Sequence, residues 1–369
     1  MTLDQLLERP TEWIASEGPH GKIVLSSRVR LARNLRGHPF PEWANRTRRQ
    51  KVLDIVMPAV AELPAMKEHF AATMDSLSAL DKQLLVERHL ISRVLSARNH
   101  GSGVVINKEE TISVMINEED HLRMQAVRAG LQLQKVFRMI DKVDSELEEQ
   151  LDYAFSPRFG YLTACPTNVG TGMRASAMLH LPGLVLSNQM GQVIQAVNKL
   201  GMAVRGLHGE GTEAQGNLFQ ISNQVTLGEK ESELLERLDK VVLQIVEHEE
   251  NARLTLLEKE PNRVYDQIGR AYGVLRYAHH LDSKEALNLL SLLRMGVDLE
   301  LIPASGRAMV DELMMLSQPA HVKRAAGRNL GARERDVWRA ELIRGRLREL
   351  AAPALDKQPA PPQSEEEAA

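Results

Sequence analysis

A single cysteine, Cys165, stands among the 369 residues, which excludes an internal disulfide and a cysteine-rich zinc site. No apolar stretch approaches the roughly 18 residues that a membrane helix needs. The opening Met1-Thr-Leu-Asp-Gln-Leu-Leu-Glu-Arg-Pro10 has neither the basic start nor the apolar core of a signal peptide. A cytoplasmic protein with no membrane partner is expected. Also missing is Gly-x-x-x-x-Gly-Lys-Ser/Thr, so a P-loop nucleotide site is excluded. The protein-kinase pairing of Gly-x-Gly-x-x-Gly with His-Arg-Asp is missing too, and no repeat of the solenoid kind is present. Charge of one sign is scarce. The net charge of -3 arises in the last 19 residues, which leaves 45 acidic and 45 basic residues in the body. A neutral body argues against a general polyanion binder, and no direct nucleic-acid partner is expected.

What is present is an ordinary globular composition, 43% hydrophobic and 26% charged, in a chain long enough for two domains. Residues 22–223 read as mixed α and β. Short β-rich runs lie at 22–25, 103–107 and 111–117, the last two joined by Lys108-Glu109-Glu110 as a hairpin. A helical pattern is expected from His121 to about Val143, with Leu122, Val127, Leu131, Leu133, Val136 and Ile140 on one broad face. Strands in adjacent pairs favour an α+β fold, an antiparallel sheet with helices on one side. From Glu229 the strand signal stops, and helices are expected at 264–280, at 283–295 behind Asp282, at 308–316 and at 334–350. The expected organisation is an N-terminal extension 1–21, an α+β domain 22–228, a helical domain 229–350, and a disordered acidic, proline-rich tail 351–369.

Four stretches carry chemistry. In Ser26-Ser27-Arg28-Val29-Arg30, alternation puts both arginines on one strand face, two guanidinium forks suited to a polyphosphate; a solvated strand face is the bland alternative. Cys165-Pro-Thr-Asn-Val-Gly170-Thr-Gly172-Met-Arg174 combines tight turns with an arginine expected at a helix start, an anion seat beside a thiol expected to be partly ionised. The bland reading of Cys165 is a small buried apolar residue. Asn117-Glu118-Glu119-Asp120-His121-Leu122-Arg123 reads as three acids at a strand-to-helix junction, which the helix dipole alone would favour. Arg205-Gly206-Leu207-His208-Gly209-Glu210-Gly211 reads as a glycine-rich loop carrying an arginine and a carboxylate, or a plain surface loop.

Together, and in this order, these segments resemble the phosphagen (guanidino) kinases, which move phosphate between ATP and guanidino compounds. The resemblance covers residues 22–223 and implies a glutamine-synthetase-like catalytic domain using ATP with Mg²⁺. It implies nucleotide arginines at Arg28, Arg30, Arg123, Arg174 and Arg205 and an adenine-side histidine at His89. The nucleotide segments would comprise Ser27, Arg28, Val29, Arg30 and Leu31, then Arg174, Ala175, Ser176, Ala177 and Met178, and finally Arg205, Gly206, Leu207, His208, Gly209 and Glu210. No protein-held metal site is implied. Glu119 and Glu210 map onto the guanidinium-binding carboxylates. The chain departs from the family pattern in two ways: Met178 stands where a histidine is frequent, and only 25 residues precede Ser26, so the family's N-terminal helical domain is expected to be absent. Without that lid, an arginine displayed on a protein fits better than a free amino acid. The pattern is similar to the bacterial protein-arginine kinases of the McsB type. That likeness implies protein substrates such as unfolded proteins and a stress repressor, an activator of the McsA type, a Clp-type ATPase–protease, and a homodimer.

An arginine guanidinium has a pKa above ~12 and is unreactive until oriented and deprotonated. Glu119 is expected as the base, Glu210 as its partner, and Cys165 as a neighbouring thiolate. In the helical part, Arg335 and Arg339 are one turn apart with Asp336 beside them, matching the anionic phosphate and cationic guanidinium group of phosphoarginine. The Arg335-Asp336-x-x-Arg339-Ala340 run resembles a regulatory phosphoarginine pocket. Apolar segments such as 286–293 are expected to make a dimer contact. The competing readings are a small-molecule guanidino kinase and a non-catalytic DNA-binding or adaptor protein with a relict kinase fold.

Overall fold

The computed structural model describes residues 1–15, 17–206 and 215–355. Among them are ten strands: β1 Val24–Arg33, β2 His69–Thr73, β3 Gly103–Asn107, β4 Ile112–Ile116, β5 Leu122–Ala129, β6 Phe155–Ser156, β7 Gly160–Tyr161, β8 Met173–His180, β9 Met202–Gly206 and β10 Leu218–Asn223. Eight form one sheet in the order β2-β3-β4-β5-β1-β8-β10-β9, and β6 and β7 pair separately. Every pairing in the large sheet is antiparallel. This is the expected α+β class, and β3 and β4 are the expected hairpin. Fourteen helices accompany the strands: α1 Leu3–Leu7, α2 Glu12–Ala15, α3 Arg46–Ala61, α4 Ala79–Glu87, α5 Arg93–Ala97, α6 Leu133–Glu148, α7 Pro182–Leu186, α8 Met190–Lys199, α9 Glu231–Lys259, α10 Pro261–Tyr277, α11 Ser283–Asp298, α12 Gly306–Leu316, α13 Pro319–Ala326 and α14 Ala332–Arg346.

The pleat sorts each strand into two faces. Val29 and Leu31 of β1, Met124 and Ala126 of β5, and Ala175 and Ala177 of β8 point to the back, where they share a core with α3, α6 and α9. The front face is divided. Over β2–β4 it is apolar, with Phe70, Val104, Ile106 and Met115 packed under Leu85 of α4. At the other end Leu25, Met178 and Leu218 pack against α10, α11 and α12. The polar centre lies between these two apolar patches. Helices therefore cover both faces, not one as expected.

The expected helix from His121 is a strand followed by a helix. Leu122, Met124 and Ala126 alternate with Arg123, Gln125 and Val127 through β5, so Leu122 and Val127 face opposite sides. The helical stripe begins later, with Leu133, Val136, Ile140, Val143 and Leu147 buried on α6. A domain boundary at residue 229 also needs revising. Side chains of α9 from Leu234 to Ala252 belong to the back core of the sheet, so the sheet unit extends to about Glu260, where α9 ends.

The helices that follow are tied to the sheet by buried charge. His180, at the end of β8, meets Ser291 Oγ at 2.8 Å and Arg294 Nη1 at 2.8 Å. Arg294 also donates to the Lys22 carbonyl and to Asp311. Burial, then Arg294, Arg253 and Arg307, hold the His180 pKa well below its ordinary value, so the ring is neutral. The stretch expected to serve a dimer is spent inside the chain: Ala286, Leu287, Leu290 and Leu293 are at most 1% exposed.

Candidate active site

Strand alternation assembles the centre of the front face. Arg30 of β1 lies opposite Arg174 on β8 and Gln125 on β5, and Ala32 opposite Arg123. Arg205 on β9 lies opposite Gln220 on β10. Arg28, Arg30, Arg123, Arg174 and Arg205 all line one cavity of about 1420 Å³, and Trp13, Val86 and His89 line it too. His89 has φ 61°, and its ring meets Trp13 edge-on at 5.0 Å.

The arginines are short of counter-charge. Burial, then Arg123, lowers the Arg28 pKa to about 10. Arg30 lies well below its ordinary value through burial, followed by Arg28, Arg123 and Arg174. Arg174 is lowered by burial, then by Arg205 and Arg123, against the pull of Cys165 and Glu119. Arg28 donates to the neutral Gln220 amide at 2.7 Å. The Nε groups of Arg30 and Arg174 are shielded from solvent and have no partner. Unpaired buried donors are costly, and on a cationic surface they call for an anion with several oxygens.

The three acids lie in a turn between strands β4 and β5, not at the start of a helix, so the helix dipole does not explain them. Two are committed. Glu118 is fully buried, accepts from Arg123 at 2.7 and 2.9 Å, and accepts from Ser92 Oγ. Asp120 accepts from Asn34 Nδ2 and from the Ala164 amide, both at 2.7 Å. Glu119 alone keeps its carboxylate free of hydrogen bonds among the described residues. Burial, then Asp120 and Glu118, raises its pKa. The Asp120–Ala164 bond also pins the segment carrying Cys165 beside this turn.

Cys165 is partly exposed, with Sγ 3.0 Å from Thr167 Oγ1. A single 3₁₀ turn follows, at Pro166–Asn168. Gly170 then takes φ 113°, where an added Cβ would stand 2.5 Å from the Thr226 carbonyl oxygen. Arg174 is a strand residue, not the expected helix start, so the anion seat is built from side chains on the sheet. Of the expected nucleotide segments, Val29, Leu31, Ala175 and Ala177 turn to the back core. Ser27 Oγ is spent on the Gly130 carbonyl and the Gln132 amide, each at 2.8 Å, and Met178 joins the helical core. Ser176 keeps the front face. Gly206 ends β9, while Leu207, His208, Gly209 and Glu210 lie outside the described residues.

Sequence reasoning passed over Gln220 and Glu118, which hold Arg28 and Arg123. Gln220 is far from Arg28 in sequence, and Glu118 sits in a turn, so only the folded side-chain contacts reveal either pairing. On α14, Ala340 is fully buried. Arg339 is 1% exposed and donates to the carbonyls of Ser317 and Leu281, at 2.6 and 2.8 Å, and to Asp336 at 2.6 Å. Arg335 is half-buried and reaches the Leu330 carbonyl. Among the described residues, no group of three or more His, Cys, Asp or Glu is placed to hold a metal, and no helix is long and apolar enough to cross a membrane.

A seat for phosphate oxygens beside one free carboxylate is the equipment of a guanidino phosphotransferase. The family model described as the ATP:guanido phosphotransferase C-terminal catalytic domain matches residues 51–252, and the protein-arginine kinase McsB C-terminal domain matches 261–358. The protein-arginine kinase of Halothermothrix orenii is 45% identical over 94% of this chain and 99% of its own length. That of Moorella thermoacetica is 46% identical over 92% and 97%. Among solved structures, lombricine kinase matches with TM-score 0.55 and 26% identity over 68% of this chain and 70% of its own. The duplicated taurocyamine kinase of Schistosoma mansoni matches with TM-score 0.58 and 27% identity, over 68% of this chain and 36% of that one. The chain belongs to the ATP:guanido phosphotransferase family and, within it, to the McsB-type protein-arginine kinases.

With Glu119 as the base, its raised pKa would set a pH dependence. A base must be deprotonated, so activity is present above its pKa and lost as pH falls through it. The acid limb of kcat/KM is expected above the usual glutamate range, with about tenfold loss per pH unit below it. A limb at or below that range in a pH–rate profile would remove Glu119 from the base role.

Proposed function

We propose that this chain transfers the γ-phosphoryl group of ATP to arginine side chains of proteins. The observation carrying this reading is the juxtaposition of unpaired buried guanidinium donors with Glu119, the one acid of its turn left uncommitted. The relatives' name, protein-arginine kinase, supports it. In this reading the arginines neutralise charge spread over the phosphate oxygens. Glu119 orients the substrate guanidinium and takes its proton as the N–P bond forms and the bond to ADP breaks. Glu210 is proposed as its partner in holding the planar group, with Cys165 as a neighbouring thiol. The part of the cavity lined by Trp13, Val86 and His89 receives the adenine. Mg²⁺ would arrive with the nucleotide and would add positive charge beside the five arginines, whose part is to hold the phosphate oxygens.

Further parts of the reading are a cytoplasmic location, a homodimer, unfolded clients and a stress repressor as substrates, an activator of the McsA type, and delivery to a Clp-type protease. Arg335, Asp336 and Arg339 are proposed to bind phosphoarginine and raise activity. Arg339 is buried and fixes Leu281, just ahead of the α11 cap Asp282, so its removal would also cost stability. Arg335 is the cleaner probe.

Incubation of the protein with Mg-ATP and an unfolded client should give acid-labile phosphate on arginine by mass spectrometry. Glu119→Gln should cut the rate at least roughly a hundredfold with ADP affinity in calorimetry largely kept. Near-normal turnover would reject the mechanism, and phosphate confined to free guanidino compounds would reject the protein substrate. Arg335→Ala should keep basal turnover and lose stimulation by added phosphoarginine, a coupling of about 1–3 kcal/mol. An unchanged response would reject the regulatory role.

A further inference from the structure

Trp43 is the most exposed large apolar side chain among the described residues, at 81%. Nothing in the reaction outlined above uses it. It sits on a tight turn, where the amides of Trp43 and Ala44 both donate to the Phe40 carbonyl, at 2.9 and 3.0 Å. The Phe40 ring packs edge-on to it, with centroids 6.3 Å apart.

The turn is clamped to the candidate site at two points. His121 Nε2 lies 3.0 Å from the Pro39 carbonyl. Burial lowers the His121 pKa to about 4, so the ring is neutral and donates there from Nε2. Arg98 bridges the Glu42 carboxylate and, at 3.0 Å, the Glu118 carbonyl. The two anchor points, Glu118 and His121, lie on either side of Glu119. The aromatic turn is thus held in a fixed relation to the carboxylate that would receive the guanidinium.

Charge next to Trp43 points to an occupant. The first turn of α3 carries Arg46, Arg48 and Arg49 and no acid, an arrangement the helix dipole disfavours. Arg46 meets the His100 ring, and Arg48 makes no ion pair among the described residues. A polypeptide that brings a cationic arginine towards this region would be repelled unless it carried its own acids. We infer that the Trp43 turn and the exposed arginines of α3 bind client polypeptide beside the target arginine, taking an apolar residue on the indole and carboxylates on Arg46 and Arg48. This rests on the protein-arginine kinase reading and adds a sequence preference to it.

The test compares two peptides with one arginine each, flanked by Glu and Leu in one and by Gly and Ser in the other. The full-length protein should favour the first in kcat/KM by roughly tenfold, as for one well-placed aromatic contact. Trp43→Ala and, separately, Arg48→Glu should reduce that preference to near unity through KM. Turnover of the Gly/Ser peptide and the KM for ATP should stay unchanged. An acid at that helix start suits the dipole, so Arg48→Glu is not expected to unfold the chain. Retention of the preference in both variants, or its absence in the parent, overturns the inference and leaves the kinase reading standing. Failure to phosphorylate either peptide or an unfolded client protein overturns both.

Discussion

Arg28, Arg30, Arg123, Arg174 and Arg205 are crowded onto one face of one sheet, and the protein supplies too few carboxylates to neutralise them. In water such groups would separate. Here β1, β5, β8 and β9 fix them through a backbone ladder that is itself held by the apolar core on the other side. Burial and mutual repulsion depress the pKa values of Arg28, Arg30 and Arg174. An anion with many oxygens would relieve that repulsion, the general form of a preorganised site. The back core is the counterweight. Val29, Leu31, Ala175 and Ala177 are each at most 2% exposed, and they anchor the same strands that carry the repelling groups.

The neighbouring acids divide their work by what already holds them. Glu118 gives its charge to Arg123 and steers that guanidinium. Asp120 staples the Glu119 turn to Asn34 and to the Cys165 segment. Glu119 is left over, and its raised pKa suits proton acceptance better than ion pairing. Three adjacent acids thus have three fates. The helical part adjoins the same cavity through Arg294, Arg307 and Asp311 and grips the end of β8 through His180, six residues beyond Arg174.

Much of this was legible in the sequence where a single strand carries the signal. Alternation in Ser26–Arg30 foretold that Arg28 and Arg30 share a face, and Asp282 marked the start of α11. Legibility failed where pairing is tertiary. Leu122, Val127 and Leu131 fit a helical stripe as well as a strand, and only the neighbours β1 and β4 decide between them. Arg174 after two glycines looked like a helix start because its partners, Arg30 on β1 and the strand β10, are both distant in sequence. Glu118 was indistinguishable from Glu119 until Arg123 and Ser92 were seen around it. Arg339, which the sequence offers as a ligand-facing cation beside Arg335, is buried and bonded to Ser317, Leu281 and Asp336.

The central claim is that Arg30 is kept for an anion at a cost to the free protein, and one substitution separates the two effects. Arg30→Met retains the bulk and removes the charge. Denaturant unfolding without nucleotide should show the variant more stable by about 1 kcal/mol or more, because replacing an uncompensated cation by an apolar group of similar volume relieves the burial cost. In calorimetry the same variant should bind ADP at least about tenfold more weakly, as expected for a lost charge-assisted contact. A variant less stable than the parent, with ADP affinity intact, would contradict the account.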